Sequence, residues 1–365
     1  MSILTVNAGS SSIKLRLVDT DDAIVAECEL SAPRANVDAD ELRAALAGPL
    51  AGADAVAHRI VHGGERYREA TLIDAEVRRV LGELTELAPL HQPKSLAALD
   101  AVSAWLPQRP AVACFDTAFH ATLPPAASTY ALPARWRERW GLRRFGFHGL
   151  SHGWVARHAP ELLSDADPPQ RIVSCHLGAG ASLCAIAGGR SVDTTMGFTP
   201  LEGLVMATRS GSVDPGLLLW LLEREAVSER EMAAALEHES GLAALAGDAD
   251  MRTVLDRAEH EDREAVIAVE VYVHRLRAGI AAMTAALGGI DVLVFTGGVG
   301  EHAPAIRWRA AGGLGFLGVG IDGDANDRAG ADADITAASA SVRTLVLRAR
   351  EDLEMARQAR QTLSR

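Results

Sequence analysis

Lysine is almost absent from this 365-residue chain: only Lys14 and Lys94 occur, and nearly all other cationic side chains are arginine. Any anion clamp is therefore built from arginine, whose planar fork suits carboxylates and phosphates. Cysteine is sparse too. Cys28, Cys114, Cys175 and Cys184 lie scattered without a CxxC pair, which reads as buried free thiols in a reducing compartment rather than as disulfides. Long apolar runs are missing: the longest nearly uncharged stretch, residues 278–300, is broken by Gly288-Gly289 and Asp291. A helix followed by a buried strand explains it better than a membrane span. The start of the chain enters a strand at once, with no basic region or apolar run before it, so no signal peptide is expected. The expectation is a cytoplasmic, soluble protein with no membrane partner. Two phosphate signatures are also absent. There is no GxxxxGK[ST] loop, and neither Gly-rich segment matches GxGxxG with an acidic residue about 20 positions later, so nucleotide binding requires a different fold. The net charge of −12 argues against a nucleic-acid partner, though not against a small anionic substrate.

What is present is a small unit that occurs twice. Ile3–Val6 leads through Asn7-Ala8-Gly9-Ser10-Ser11-Ser12 into Ile13–Leu17, and Ile172–Cys175 leads through His176-Leu177-Gly178-Ala179-Gly180-Ala181-Ser182 into Leu183–Ile186. Each reads as strand, small-residue turn, strand, with Ile13, Leu15 and Leu17 alternating against Lys14 and Arg16. A turn that small lets an anion approach backbone N–H groups, and serine hydroxyls add donors. Either copy alone could be an ordinary hairpin. Two copies, one opening each half of the chain, imply a duplicated architecture with two phosphate-facing hairpins across a cleft. The length and the 48% hydrophobic content fit two packed domains.

The first half alternates strands and helices: a strand at 53–61, helices at 75–87 and 94–105, then an apolar strand at 110–115. That pattern predicts a mostly parallel sheet with flanking helices. A Pro-rich stretch (123–133) and a Trp/Arg segment follow. In the second half Val266, Val269, Val273, Leu276, Ile280, Met283 and Leu287 form one helical stripe, read as a core-facing or dimer-facing helix. A strand at 290–295 runs into Thr296-Gly297-Gly298-Val299-Gly300-Glu301, and a strand at 342–347 gives way to a helix beginning near Arg350.

Four polar clusters sit between the apolar elements, where functional groups usually lie. In His58-Arg59-Ile60-Val61-His62-Gly63-Gly64-Glu65, Arg59 falls within a strand that must be largely buried, and a buried arginine needs an anion: an internal carboxylate or a ligand. In Ala113–His120, Asp116 ends a buried strand, where open α/β sheets place ligands, although it could equally cap a helix. In Arg144–His152 the spacing of His148 and His152 invites zinc. No Glu stands in the HExxH position and Gly149 is expected to break the helix, so a backbone held close to a ligand and presenting an imidazole is the better reading. In the segment 193–215, Asp214-Pro215 reads as a cap and first turn, which leaves Arg209 in the preceding loop, either solvated or functional.

Taken together, HRIVHGGE, LAPLH, FDTAFH, GFHGLSH and TPLEGLVMATRSG resemble the motifs of acetate kinase and related short-chain acyl kinases, and the similarity runs from Val6 to Leu353. The resemblance implies an α/β fold of two duplicated ribonuclease-H-like (actin/sugar-kinase-type) domains with a central nucleotide cleft, usually as a homodimer. Domain limits are expected at 1–150 and 151–351, with a C-terminal helix at about 352–365 packing back onto the first. It further implies reversible, in-line transfer of the ATP γ-phosphoryl group to acetate, with Mg²⁺ or Mn²⁺. By resemblance the catalytic residues are Arg59, Asp116, His148 and Arg209, the arginines clamping carboxylate and phosphoryl group. The acyl pocket would be Val61, Leu90, Phe147 and Pro200, with His91 at its edge. Nucleotide contacts would come from Ser10, Ser12, Lys14, His176, Gly178, Gly180, Asp250, Met251, Arg252, Gly297, Gly298, Val299, Gly300 and Glu301, and the metal would be held by Asn7 and Glu351.

Several positions depart from the family pattern. Ala179 stands where LGNG has its Asn, His302 follows GGVGE where Asn is usual, Gln92 replaces Asn after His91, and Ser212 replaces a common Asp. These changes gather on the phosphoryl-donor side. They point to altered donor affinity or a pyrophosphate-linked acyl kinase as the second reading, with propionate or butyrate as alternative acceptors. A non-catalytic actin-like nucleotide-binding protein is the reading outside enzymes.

Overall fold

The computed structural model describes residues 1–9, 12–31, 39–88, 92–163, 169–224, 226–330 and 332–365. They fall into two units: Met1–Ala121 with Phe147–Trp154 and Arg350–Arg365, and Thr122–Gly146 with Val155–Ala349.

In the first unit six strands form one sheet: β1 (Ile3–Ala8), β2 (Ser12–Val18), β3 (Ile24–Ser31), β4 (Ala55–Ile60), β5 (Thr71–Leu72) and β6 (Ala111–Phe115), in the order β3-β2-β1-β4-β6-β5. Short turns force β1, β2 and β3 to run antiparallel, whereas the helical crossovers let β1, β4 and β6 run parallel. The period-2 alternation sorts residues onto two faces. One carries Leu4, Val6, Ile13, Leu15 and Val56 against Ala98 and Val102 of the helix Gln92–Trp105. The other carries Ile3, Ala55, Ala57, Val112 and Cys114 against Leu353, Met355, Ala356 and Ala359 of the C-terminal helix Glu351–Leu363.

The second unit repeats the plan with β7 (Arg171–Leu177), β8 (Ala181–Ala187), β9 (Arg190–Thr194), β10 (Val292–Thr296), β11 (Ala333–Asp334) and β12 (Arg343–Val346), in the order β11-β12-β10-β7-β8-β9. Its pairing directions match the first sheet strand for strand: β7, β8 and β9 antiparallel, β7, β10 and β12 parallel, β11 antiparallel to β12. The repeated hairpin thus opens two copies of one topology. The long helix Arg263–Leu287 turns Val269, Val273, Leu276, Ile280 and Met283 inward, which makes the apolar stripe a core face. Asp262 caps its first turn.

Three local differences from the sequence reading have physical causes. Residues 122–146 group with the second unit, not the first, because Phe145 and Gly146 donate backbone hydrogen bonds to the Gly197 carbonyl at 3.0 and 3.2 Å. The helix at 75–87 is α-helical only to Glu83 and tightens to a 3₁₀ turn over Leu84–Leu87. Gly149 does not break a helix but starts one, Gly149–Leu163, so His148 stands just before the first turn and His152 within it.

Candidate active site

In the first unit the carboxyl ends of three parallel strands bring Asn7, Arg59 and Asp116 together with Glu351, the first residue of the C-terminal helix. Arg59 lies near the end of β4, on the face that the C-terminal helix covers. Asp116 follows β6, its N–H donating to the Ile60 carbonyl at 3.1 Å. Arg59 grips Asp116 with two nitrogens, Nε to Oδ1 at 3.0 Å and Nη2 to Oδ2 at 2.7 Å. Its Nη1 donates to Asn7 Oδ1 of β1 at 3.1 Å and lies 3.4 Å from Glu351 Oε2. Asn7 Nδ2 closes the ring by donating to Glu351 Oε2 at 3.0 Å. Burial works against the Arg59 charge, and the Asp116 and Glu351 carboxylates more than offset it, holding the guanidinium above its usual value. Burial pushes Asp116 upward, Arg59 pulls it back, and Glu351 adds to the push; the net direction is up.

The backbone beside this cluster is tightly constrained. His148 adopts a left-handed conformation at φ 55°, unusual for a residue with a side chain and typical of functional loops. Gly149 donates its N–H to the Asp116 carbonyl at 2.8 Å, and a Cβ on Gly149 would lie 2.2 Å from that oxygen. Only glycine permits this approach, so the imidazole of His148 is presented from a segment anchored on Asp116. His120, buried behind it, has Nε2 2.9 Å from the Phe147 carbonyl. The ring of Phe147 meets that of His62 edge-on at 5.6 Å, and both Phe147 and Val61 are buried. Gln92 holds His62 through its backbone, accepting from the N–H and donating to the carbonyl, both at 3.2 Å. His62 Nδ1 accepts from Gly64 N–H at 2.9 Å, and burial lowers this histidine to about 4.

The second unit gathers a different set. Its hairpin turn, between β7 and β8, is closed by Gly178 N–H donating to the Gly180 carbonyl at 3.0 Å. The Ala179 carbonyl accepts from Ala207 N–H at 3.1 Å, which ties this turn to the loop carrying Arg209. Arg209 donates from Nη1 to the Pro200 carbonyl at 2.9 Å, and its nearest carboxylate, Glu237, is 3.7 Å from Nε, beyond hydrogen-bond distance. Burial lowers the Arg209 guanidinium from its usual value, with Glu237 offsetting only part. This is a largely buried cation without a strong counter-ion, a state that favours an incoming anion. Gly297 starts the short helix Gly297–His302 and donates to Glu301 Oε1 at 3.0 Å; the same oxygen accepts from Ala349 N–H at 2.9 Å.

The remaining sequence-derived residues are placed as follows. Ser12 donates to Glu29 at 2.6 Å, and Lys14 lies exposed on β2 opposite Asn7. His176 is the penultimate residue of β7 and pairs with Thr296, while Gly298, Val299 and Gly300 continue the helix from Gly297. Asp250 caps the helix Met251–Glu259 and pairs with Arg252 at 2.6 Å, so both charges are engaged locally. Met251 is buried. Ser10, Leu90 and His91 lie outside the described residues. Sequence reasoning missed His120, Glu237 and the network of Tyr130, Arg144 and Glu202. His120 ends FDTAFH, Arg144 opens the cluster Arg144–His152 and Glu202 stands within TPLEGLVMATRSG, but none was given a role; no motif marks Tyr130 or Glu237.

Asn7, Glu351 and Asp116 supply hard oxygen atoms, and Arg59 against two carboxylates leaves the cluster one negative charge in excess. That donor set fits Mg²⁺, which takes few protein ligands and keeps several waters. Among the described residues no cluster of three His, Cys, Asp or Glu could hold a metal ion by itself. No helix among them is long and apolar enough to cross a membrane.

Residues 35–357 match the family model of the acetokinase family. An acetate kinase of Gloeobacter violaceus is 47% identical over 312 residues, covering 85% of this chain and 77% of its own. Among solved structures, a propionate kinase from Francisella tularensis superposes with a TM-score of 0.91 at 32% identity, covering 98% of both chains. The acetate kinase of Porphyromonas gingivalis gives 0.89 at 32% identity, covering 99% of both. Both likenesses span the duplicated α/β topology and nearly the whole of this chain, which belongs to the acetokinase family.

Proposed function

We propose that this protein is an acetate kinase that transfers the γ-phosphoryl group of ATP to acetate, reversibly, giving acetyl phosphate and ADP. The observation that carries this reading is Arg209: a largely buried guanidinium, in a loop tied to the glycine turn, with no carboxylate within hydrogen-bond distance among the described residues. A carboxylate is ionised at neutral pH, so one of its oxygens can attack the γ-phosphorus without a general base. The new O–P bond forms as the bond to the β,γ-bridging oxygen breaks, and ADP leaves with that electron pair. The protein's work is then to hold two anions and stabilise charge on the equatorial oxygens. Arg209 would take the migrating phosphoryl group, and His148 would donate to its oxygens. Arg59, committed on most of its donors to Asp116 and Asn7, would offer its remaining Nη2 hydrogen to the acetate carboxylate. The family resemblance assigns Val61, Phe147 and Pro200 to the methyl group of the acceptor.

Asn7 and Glu351 would hold Mg²⁺, whose bound charge neutralises the phosphate oxygens. The glycine turn His176–Gly180, the hairpin residues Ser12 and Lys14 and the segment Gly297–Glu301 would serve the nucleotide. Homodimerisation is supported by the helix Pro215–Glu223, which buries none of its residues and exposes Leu217, Leu219 and Trp220. Four free thiols, three of them buried, suit a reducing compartment and a cytoplasmic location.

The test is acyl-phosphate formation trapped with hydroxylamine, using ATP or pyrophosphate with Mg²⁺ against acetate, propionate and butyrate. The reading requires the highest kcat/KM with ATP and acetate. No product with any pair, despite ATP binding, would sink it.

A further inference from the structure

The loop that carries Pro200 is suspended from three side chains that the reaction itself does not use. Arg144 donates from Nη1 to three successive carbonyls, Thr194 and Thr195 at 3.2 Å and Met196 at 3.0 Å. Its Nη2 reaches Glu202 Oε1 at 2.7 Å. The other carboxylate oxygen, Oε2, accepts from the Tyr130 hydroxyl at 2.6 Å, and that hydroxyl accepts in turn from Phe198 N–H at 2.9 Å. The Arg144 guanidinium also lies over the Tyr130 ring at 5.5 Å. Backbone and side chains therefore hold Thr194–Phe198 from one side and Glu202 from the other, with Phe198-Thr199-Pro200 between them.

Gly197 is the point of closest packing. A Cβ there would lie 1.8 Å from Glu202 Oε2 and 2.2 Å from the Tyr130 oxygen. A side chain here would push the carboxylate aside, so this packing requires glycine. Burial and the Glu202 hydrogen bond raise the Tyr130 hydroxyl above its usual value, which keeps it a neutral donor. The loop delivers two groups: the Pro200 ring, and the Pro200 carbonyl that fixes Arg209 Nη1 at 2.9 Å. At its other end, the Gly197 carbonyl holds the N–H groups of Phe145 and Gly146, from which the chain runs on into Phe147 and His148.

We propose that Tyr130, Arg144 and Glu202 are positioning residues that set the acyl-acceptor pocket, acting through Pro200 and the orientation of Arg209. The inference rests on the acyl-kinase reading and adds three side chains to it. It differs from a stabilising role in what it moves: a displaced loop changes acceptor binding and selectivity, while nucleotide contacts elsewhere in the unit stay in place.

The test uses the full chain carrying Tyr130→Phe, Glu202→Gln or Arg144→Lys, with acyl-phosphate kinetics for acetate and propionate and a melting temperature for each protein. In Tyr130→Phe and Glu202→Gln the acetate KM should rise about tenfold, since small misplacements of a reacting group cost that much or more. The ATP KM should stay within about twofold, and the ratio of kcat/KM for acetate over propionate should fall. Arg144→Lys should fall between these variants and the wild type, because lysine restores the charge but not the fork. Unchanged acetate KM and selectivity would overturn the proposal. So would parallel rises in both KM values accompanied by a lowered melting temperature, the pattern of a merely structural role. Should Glu202→Gln fail to fold, the near-isosteric Tyr130→Phe decides. Absence of product from the wild type would overturn the functional reading itself, whereas an active wild type with unaltered variants overturns only the positioning role.

Discussion

Arg59 and Arg209 belong to one pair by sequence, two arginines for two anions, yet their surroundings are opposite. Arg59 ends a strand and is locked into a two-nitrogen pair with Asp116, with Asn7 and Glu351 on its third nitrogen. Arg209 sits in a loop, held by the Pro200 carbonyl and the Met206 sulfur, with its carboxylate partner 3.7 Å away. The difference teaches how a protein stores cations for different tasks. A guanidinium that is already paired gives a rigid framework and keeps its carboxylates in place. One that is under-compensated carries a desolvation cost that an incoming anion would relieve.

The comparison breaks most sharply at Arg209. Arg209→Ala should lower kcat by about 10³-fold, the scale for removing one preorganised transition-state donor. Its melting temperature should hold or rise, because a poorly paired buried charge has been removed. A marked loss of stability would show that Glu237 compensates Arg209 far better than the distance implies.

Arg59→Ala should behave in the reverse manner on stability, losing about 3–5 kcal/mol because Asp116 and Glu351 are left without their counter-charge. Removing Asp116 as well should recover part of that loss. Urea unfolding of the single and double variants measures the coupling, and additive losses would contradict the ion-pair account.

Acid should act on the first unit. His58 is buried beside Arg59 with both ring nitrogens lacking a hydrogen-bond partner among the described residues, and burial lowers it, like His62, to about 4 from 6.5. Above the unfolded value both states are neutral and pH has no effect through these groups. Below it the unfolded chain takes up protons that the native state refuses, so stability falls as pH drops from 6.5 towards 4. Each histidine should contribute a loss of about 3 kcal/mol at the acid end. Unfolding midpoints across that range should steepen downward, and His58→Leu should remove about half of the slope. An unchanged slope would place the titration elsewhere.

The smallest effect concerns the donor side. Ala179 contributes only its backbone, accepting from Ala207 N–H, where the family pattern has an amide side chain. Ala179→Asn should lower the ATP KM several-fold, about 1 kcal/mol for one added hydrogen bond, and leave the acetate KM unchanged. No change in donor kinetics would show that the alanine is a silent departure.

Much of this was legible in the chain itself. The doubled hairpin announced two copies of one topology, because strand alternation and small turns are local properties of residues. Asp214 as a helix cap and the inward stripe of the long helix followed from the same local rules. Arg59 was readable as a buried cation needing an anion, but not which anion: that depended on Asp116 and Glu351 arriving from elsewhere in the chain. The Trp/Arg segment gave no hint that Arg144 gathers three carbonyls and Glu202, since those partners lie about fifty residues away. Gly149 misled for a related reason. Helix propensity made it a breaker, whereas its contact with the Asp116 carbonyl made it the first residue of a helix.

The sequence by itself determined the duplicated α/β topology and the family, because periodicity, turn chemistry and motif identity are written in near neighbours. Only the tertiary structure decided that Arg59 is spent largely on its own carboxylates, that Arg209 is left wanting an anion, and that a tyrosine, an arginine and a glutamate hold the loop between Gly197 and Pro200. Those outcomes depend on distances between residues far apart in the chain, and the balance of desolvation against pairing is set only when the fold brings them together.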